Sequence, residues 1–209
     1  TKSFAFFVFV VVSSISFMKK VYLETFGCQM NVSDSERVAT LLENKGYQLT
    51  PNEDSADVVL FNTCSVREKA EHKLYSRIGE VRKSQKSKQI VGVMGCVAQL
   101  EGETLFDGNR GIDFVIGTKA IGRVDEAIAE VERTNKRYLD LGEREENYNW
   151  SVSETQRQTP QIAFVPIIEG CNKFCTYCIV SFARGREKSL IASDIIREVI
   201  ELKRKGIKE

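Results

Sequence analysis

The sequence is poor in the residues on which many common enzyme sites depend. It contains one histidine, His72, among 209 residues. It has no glycine-rich dinucleotide-binding motif, no P-loop and no Ser/His/Asp arrangement. It therefore offers no nucleotide-binding or hydrolytic site of these kinds. We interpret His72 as a solvent-exposed helix residue, because ordinary surface histidines greatly outnumber those that bind metals.

An excess of charge of either sign is also missing. The chain carries 30 Lys and Arg residues against 29 Asp and Glu residues, a formal net charge of +1. No overall basic field therefore indicates a nucleic-acid partner, although local patches can bind RNA on a neutral protein. The basic runs Arg82–Lys88 and Lys203–Lys208 are interpreted as solvated helix ends.

No apolar run is long enough for a clear membrane span. The segment Phe4–Ile15 resembles the apolar part of a signal peptide, but it is short, only Lys2 precedes it, and no A-x-A cleavage pattern follows. We interpret residues 1–17 as an extension without a role and Met18 as the natural start. The expected location is the cytoplasm, with no membrane partner. An export or anchor signal is the alternative.

Cysteine is present six times, and three of the six lie within eight residues as Cys171, Cys175 and Cys178. Three thiolates from one loop suit an iron–sulfur cluster better than zinc, although both normally take four ligands. A cluster held by three cysteines leaves one iron for a small ligand such as S-adenosylmethionine. A zinc site with a distant fourth ligand and half of a disulfide framework are the alternatives. The low cysteine density favours a reduced, metal-binding protein.

Between residues 18 and 137 the pattern alternates strand and helix, which predicts a doubly wound α/β domain with a parallel sheet. Strands are predicted at Val21–Phe26, Asp57–Thr63, Gln89–Met94 and Phe114–Gly117. Helices are predicted from a capping box at Ser33–Glu36, over Arg67–Lys83, and over Ile121–Arg133.

Residues 138–160 are polar and are interpreted as a linker to a second unit at 161–209. That unit is predicted to contain a strand at Ile162–Ile168, the cysteine loop, and a helix at Ser193–Lys205. A single β–α unit cannot bury its own apolar face. The expectation is therefore that the chain is a fragment and that this unit begins a larger barrel.

The other three cysteines share one context. Cys28, Cys64 and Cys96 each follow a predicted strand at its carboxyl end. Ligands of open parallel sheets bind outside the carboxyl ends of the strands. A single buried cysteine is ordinary, but the repeated placement favours a second three-thiolate site.

Five motifs together resemble one known family, the radical-SAM methylthiotransferases. Three lie in the first domain: Thr25–Asn31 (TFGCQMN), Asn62–Ala70 (NTCSVREKA) and Met94–Gln99 (MGCVAQ). Two lie in the second unit: Gly170–Cys178 (GCNKFCTYC) and Ala183–Glu187 (ARGRE). The resemblance covers residues 18–209 and implies that the second unit is the first β–α unit of a truncated radical-SAM (β/α) barrel.

The resemblance also implies cofactors and their ligands. In that family Cys171, Cys175 and Cys178 would hold the [4Fe–4S] cluster that cleaves S-adenosylmethionine, giving a radical that takes hydrogen from carbon 2 of an adenine. An auxiliary [4Fe–4S] cluster that carries the sulfur or methylthio group would be held by Cys28, Cys64 and Cys96. Tyr177 would pack near S-adenosylmethionine, although a loop-packing role is nearly as well supported.

Within the family, the run after Cys64 is most similar to the branch that acts on N6-dimethylallyladenosine beside the tRNA anticodon. The implied partners are tRNA and an electron donor such as a flavodoxin or ferredoxin. Alternatives are action on threonylcarbamoyladenosine in tRNA or on a ribosomal-protein aspartate, and a non-catalytic iron–sulfur electron carrier. Arg184 and Arg186 could contact phosphate or a cofactor carboxylate, and a surface role is as well supported. Ser181 stands where the family often has proline, which should loosen the loop without removing a ligand.

Overall fold

The protein is described by a computed structural model that covers residues 18–66, 68–84, 89–108, 111–142 and 161–209. The apolar extension at 1–17 and residues 143–160 of the predicted linker lie outside the described residues. Among the helices in these ranges, none is both long enough and apolar enough to cross a bilayer.

The core element of the first domain is a six-stranded sheet in which every pair of neighbours is parallel, in the order β2-β1-β3-β4-β5-β6. The strands are β1 Lys20–Phe26, β2 Gln48–Leu49, β3 Val58–Thr63, β4 Ile90–Gly95, β5 Phe114–Gly117 and β6 Tyr138–Asp140. The helices between them are α1 Gln29–Asn44, α2 Glu68–Lys83, α3 Cys96–Glu101, α4 Thr104–Gly108 and α5 Val124–Thr134. The predicted α/β architecture is confirmed.

Apolar residues cover both faces of the sheet, as the near-continuous apolar run of β3 predicts. Val59 and Phe61 pack in one core cluster with side chains of α2, α3 and α4. Val58 and Leu60 pack in the other with side chains of α1 and α5. Each of these four side chains is fully buried, which stabilises the fold by about 1.5–3 kcal/mol per side chain.

The first helix begins five residues earlier than the capping box predicts, with its N-cap at Cys28 instead of Ser33. The chain passes directly from β1 into α1, with Cys28 as the extended N-cap residue and a bond from the Val32 amide to the Cys28 carbonyl of 3.2 Å. Ser33 and Glu36 are buried within the helix, so the prediction of a start at Ser33 was wrong. The consequence is that Cys28 lies at the junction of a strand and a helix.

The sheet also continues into the segment interpreted as a linker. Strand β6 pairs with β5, with Tyr138 opposite Phe114. Arg123 holds the end of β6 through two bonds to the Asp140 carboxylate, 2.7 Å from Nε and 3.0 Å from a terminal nitrogen. A three-residue edge strand of this kind carries too little periodicity to be distinguished from a linker by sequence.

The second unit contains a short antiparallel pair, β7 Ile168–Glu169 with β8 Lys188–Ser189, and two helices, α6 Val180–Arg184 and α7 Ala192–Arg204. Helix α7 confirms the predicted helix. The predicted strand at Ile162–Ile168 is shorter in the structure, since only its last residue is paired. The Ala163 amide donates instead to the main chain of Glu209, at 2.8 Å.

Candidate metal centre

The three isolated cysteines lie at one edge of the sheet. Cys28 follows β1, Cys64 follows β3 and Cys96 follows β4, and these three strands are immediate neighbours. The point between β1 and β3 is where the strand order reverses, which is the usual ligand position in an open α/β sheet. The expectation that the three cysteines follow neighbouring strands at one edge of the sheet is confirmed, while their convergence in one crevice and their role as ligands stay predictions.

The residues around Cys28 and those around Cys64 are closely packed against each other. The Cys64 amide donates to the Phe26 carbonyl at 2.9 Å. A β-carbon added at Gly27 would lie 2.9 Å from the β-carbon of Cys64, so the close approach requires glycine. The Cys28 thiol, which is partly exposed, donates to the Asn31 side-chain oxygen at 3.3 Å.

A buried amide pair holds this edge together. The Asn31 amide nitrogen donates to the Asn62 side-chain oxygen at 2.9 Å and to the Thr63 carbonyl at 3.2 Å. The Asn62 amide nitrogen donates to the Asn31 carbonyl at 2.8 Å and to the Ser35 hydroxyl at 2.9 Å. Sequence reasoning did not assign this role, although an asparagine at the end of an apolar strand was a signal for it.

The environment of Cys96 combines burial with nearby charges. Burial raises the pKa of its thiol, and the neighbouring Asp34 and Cys64 act in the same direction. Arg184 opposes them through its charge and through a hydrogen bond with the Cys96 side chain. Because metals bind the thiolate, the guanidinium favours the form that a metal site needs.

Arg184 itself is buried, with its side chain 3% exposed. Its two terminal nitrogens donate to Asp34 at 2.5 Å and to Glu169 at 3.2 Å. Burial works against the charged form, but Asp34, Cys96 and Glu169 outweigh it, so that the pKa of Arg184 is raised. Of the two roles left open for Arg184, the surface role is therefore wrong, whereas Arg186 is exposed.

The cysteine loop of the second unit is anchored at its base and open at its tip. The Cys171 amide donates to the Gly185 carbonyl at 3.1 Å, and Gly170 has a φ of +77° where a β-carbon would overlap the main chain of Arg186. The Cys178 amide closes a turn onto the Cys175 carbonyl at 2.9 Å. Cys175 is exposed, and Tyr177 is 93% exposed, so Tyr177 has the freedom to pack on a bound molecule.

Neither cysteine set is drawn together at ligand distance. In the part of the chain that the structure describes, no three Cys, His, Asp or Glu side chains are gathered closely enough to hold a metal ion. All six cysteines are free, and each set offers three thiols from one edge or one loop. This donor set suits two iron–sulfur clusters better than zinc.

His72 is exposed on α2.

The chain is similar in sequence to a described family and to several known proteins. Residues 20–117 match the family described as "Uncharacterized protein family UPF0004". Proteins named tRNA-2-methylthio-N(6)-dimethylallyladenosine synthase are similar to it. The one from Thermosipho melanesiensis is 47% identical over 193 residues, 92% of this chain and 43% of that protein. The one from Neorickettsia sennetsu is 40% identical over 198 residues, 92% of this chain and 42% of that protein. The chain thus spans less than half the length of these relatives.

A solved structure shares the fold. It is that of the cobalamin-dependent S-adenosylmethionine radical enzyme OxsB with aqua-cobalamin and S-adenosylmethionine bound. The similarity has a TM-score of 0.58 at 10% sequence identity and covers 91% of this chain and 32% of that one. At this identity the match concerns the arrangement of strands and helices alone.

Proposed function

The chain belongs to the radical-SAM methylthiotransferase family, and on that premise we propose that the whole protein methylthiolates tRNA. The substrate is N6-dimethylallyladenosine beside the anticodon, and the product carries a methylthio group in place of the hydrogen on carbon 2. The observation that carries the proposal is 40–47% identity, across 91–92% of this chain, to synthases of that name.

Two sets of three cysteines support the chemistry. Cys171, Cys175 and Cys178 would hold one [4Fe–4S] cluster. A second set, Cys28, Cys64 and Cys96, would hold the other. When bound, a cluster with one iron free of protein supplies the electron that cleaves S-adenosylmethionine. The free thiols at the sheet edge and in the loop suit this donor requirement.

The exposure of the cysteines supports a division of tasks between the two sites. Cys64 and Cys96 are buried and Cys28 is partly exposed, so the sheet-edge site is accessible from the Cys28 side, where the modified adenine would approach. Cys175 and Tyr177 are exposed at the tip of the loop. This tip would receive S-adenosylmethionine, with Tyr177 beside it, and electrons from a flavodoxin or ferredoxin.

The test uses the whole protein with reconstituted iron and sulfide. We expect about eight irons per chain, about four of them lost in Cys171→Ala and the other four in Cys64→Ala. With S-adenosylmethionine, a reductant and tRNA bearing N6-dimethylallyladenosine, mass spectrometry of the nucleosides should show the methylthio product. Neither cysteine variant should form it.

Other outcomes would contradict the proposal in distinguishable ways. Zinc, or a single cluster, would remove the two-cluster basis. Two clusters without any deoxyadenosine from S-adenosylmethionine would favour an electron carrier. Product formed only on threonylcarbamoyladenosine, or on a ribosomal-protein aspartate, would keep the chemistry and change the substrate.

A further inference from the structure

Arg184 is a buried cation between two carboxylates that come from distant parts of the chain. One terminal nitrogen donates to Asp34 on α1 at 2.5 Å, and the other donates to Glu169 on β7 at 3.2 Å. The side chains of Arg184, Asp34 and Glu169 are 3%, 5% and 8% exposed, respectively. The guanidinium therefore joins the first domain to the second unit through two ion pairs that solvent screens little.

In the second unit, the two ends of the cysteine loop meet at this arginine. Glu169 lies two residues before Cys171. Arg184 lies six residues after Cys178, at the end of α6. The ion pair therefore closes the chain across the loop, next to the bond of 3.1 Å from the Cys171 amide to the Gly185 carbonyl. The base of the loop is held from both sides.

In the first domain, Asp34 lies on a helix that is fixed relative to the cysteine edge of the sheet. Helix α1 begins directly after Cys28, its N-cap residue. The neighbouring Ser35 hydroxyl accepts from the Asn62 amide at 2.9 Å, and Asn62 lies two residues before Cys64. A displacement of Asp34 would therefore disturb the segments that carry two of the three sheet-edge cysteines.

Stability alone does not explain why charged residues occupy this buried position. A buried ion pair often stabilises a fold no more than well-packed apolar residues of similar volume, because the removal of charges from water is costly. A guanidinium, however, is a planar fork whose donors point in fixed directions. A fork that bonds two carboxylates fixes their positions relative to each other, which apolar packing would do less strictly.

We propose that Arg184 is a positioning residue, which holds the cysteine loop at a fixed place relative to the sheet edge through Asp34 and Glu169. We call these three residues the ion triad. With the loop so placed, hydrogen removal and sulfur insertion occur at one adenine without rearrangement of the two parts of the molecule. This inference rests on the proposed function, because it requires both cysteine sets to act on one substrate.

Loss of the ion triad should uncouple the cleavage of S-adenosylmethionine from the transfer of the methylthio group. A misplacement of about 1 Å can slow a reaction about a hundredfold, whereas cleavage depends on the loop and its own ligand. Deoxyadenosine should then still form while less methylthio product forms, so that the ratio of the two rises. A contact that only stabilises the fold would lower both amounts together.

The experiment uses the whole protein with both cysteine sets reconstituted. The main variant combines Asp34→Asn, Arg184→Met and Glu169→Gln, so that the ion triad is removed and no buried charge is left unpaired. Arg184→Lys is the second variant, because one ammonium cannot bond two carboxylates as the fork does. The control is Arg133→Met with Glu130→Gln, which removes an exposed arginine–carboxylate pair with two hydrogen bonds on α5.

We expect the ratio of deoxyadenosine to methylthio nucleoside to rise about tenfold to a hundredfold in the main variant, at an unchanged content of about eight irons. Arg184→Lys should raise the ratio by less, and the control should keep the parent ratio. A second measurement is independent of activity. In the metal-free main variant, hydrogen exchange at the Cys171 amide should become about fivefold to thirtyfold faster, while the β3 amides keep their protection.

The remaining outcomes separate the two claims. If the parent protein forms no methylthio product, the proposed function fails and the inference fails with it. If the parent protein is active and the main variant keeps its ratio, keeps its Cys171 exchange rate or loses iron, the inference is wrong and the proposed function stands. Should the main variant not fold, a parent ratio in Arg184→Lys overturns the inference, and a raised ratio supports it.

Discussion

Asn62 is a polar residue at a buried position. It lies near the end of β3, fully buried, and it accepts from the Asn31 amide and donates to both Asn31 and Ser35. Buried polar groups are tolerated only when they are paired. The pair thus ties the residues after β1 to the end of β3, next to Cys28 and Cys64, and a truncation at either asparagine would leave buried partners unpaired.

The prediction at this scale concerns Asn62→Ala. It should lower the free energy of unfolding by about 1–3 kcal/mol, since it removes the partner of buried groups on Asn31 and Ser35. Urea unfolding of the metal-free protein measures the change. Asn44→Ala, the same substitution at an exposed position at the end of α1, should stay within about 0.5 kcal/mol. Equal effects of the two substitutions would contradict the argument.

At the scale of elements, the sheet depends on the close approach of β4 and β5. Gly92 lies opposite Phe114 in the register of these strands. A β-carbon at Gly92 would overlap the Phe114 ring, which is fully buried. The glycine in β4 therefore makes room for an aromatic side chain on the neighbouring strand, which explains why an apolar strand includes a residue with poor strand propensity.

Two glycine-to-alanine substitutions should consequently change the stability of the protein in opposite directions. Gly92→Ala should destabilise the protein by about 1–3 kcal/mol through overpacking. Gly79→Ala, in the interior of α2 with open space around the added carbon, should stabilise it by about 0.5–1 kcal/mol. Denaturant midpoints of the two variants provide the comparison. If Gly92→Ala is neutral, or if Phe114→Leu does not relieve it, the packing explanation is wrong.

At the scale of the whole molecule, the second unit is seated on the cysteine edge of the sheet through α6. The Thr118 hydroxyl, which follows β5, donates to the Ala183 carbonyl at 2.5 Å, and both residues are buried. Arg184 adds the ion pairs with Asp34 and Glu169. The two cysteine sets therefore belong to one packed arrangement, although α6 has only five residues.

Thr118→Val tests this contact with almost no change in shape. We expect local opening of α6 to become about fivefold to thirtyfold more frequent, because the buried Ala183 carbonyl loses its donor at a cost of about 1–2 kcal/mol. Hydrogen exchange of the α6 amides measures the opening, and the amides of β3 should keep their protection. Thr104→Val, at an exposed position of α4, is the control. Unchanged α6 exchange in Thr118→Val would show that other contacts hold the unit.

Local patterns in the sequence determined the alternation of strands and helices, the parallel class of the sheet and the two sets of three cysteines, because periodicity and spacing are properties of neighbouring residues. The start of α1 at Gln29 was mispredicted, since Ser33 and Glu36 satisfy a local capping pattern but lie buried inside the helix. Packing against residues distant in sequence therefore outweighed the local capping pattern.

Only the tertiary structure decided which strands are neighbours and what surrounds Arg184. The order β1-β3-β4 places Cys28, Cys64 and Cys96 on one edge, and strand order depends on contacts between distant segments that no local period encodes. The burial of Arg184 depends on Asp34, 150 positions away. The sequence alone therefore predicted which cysteines act as ligands, whereas long-range packing decided how the Arg184 guanidinium joins α1 to β7.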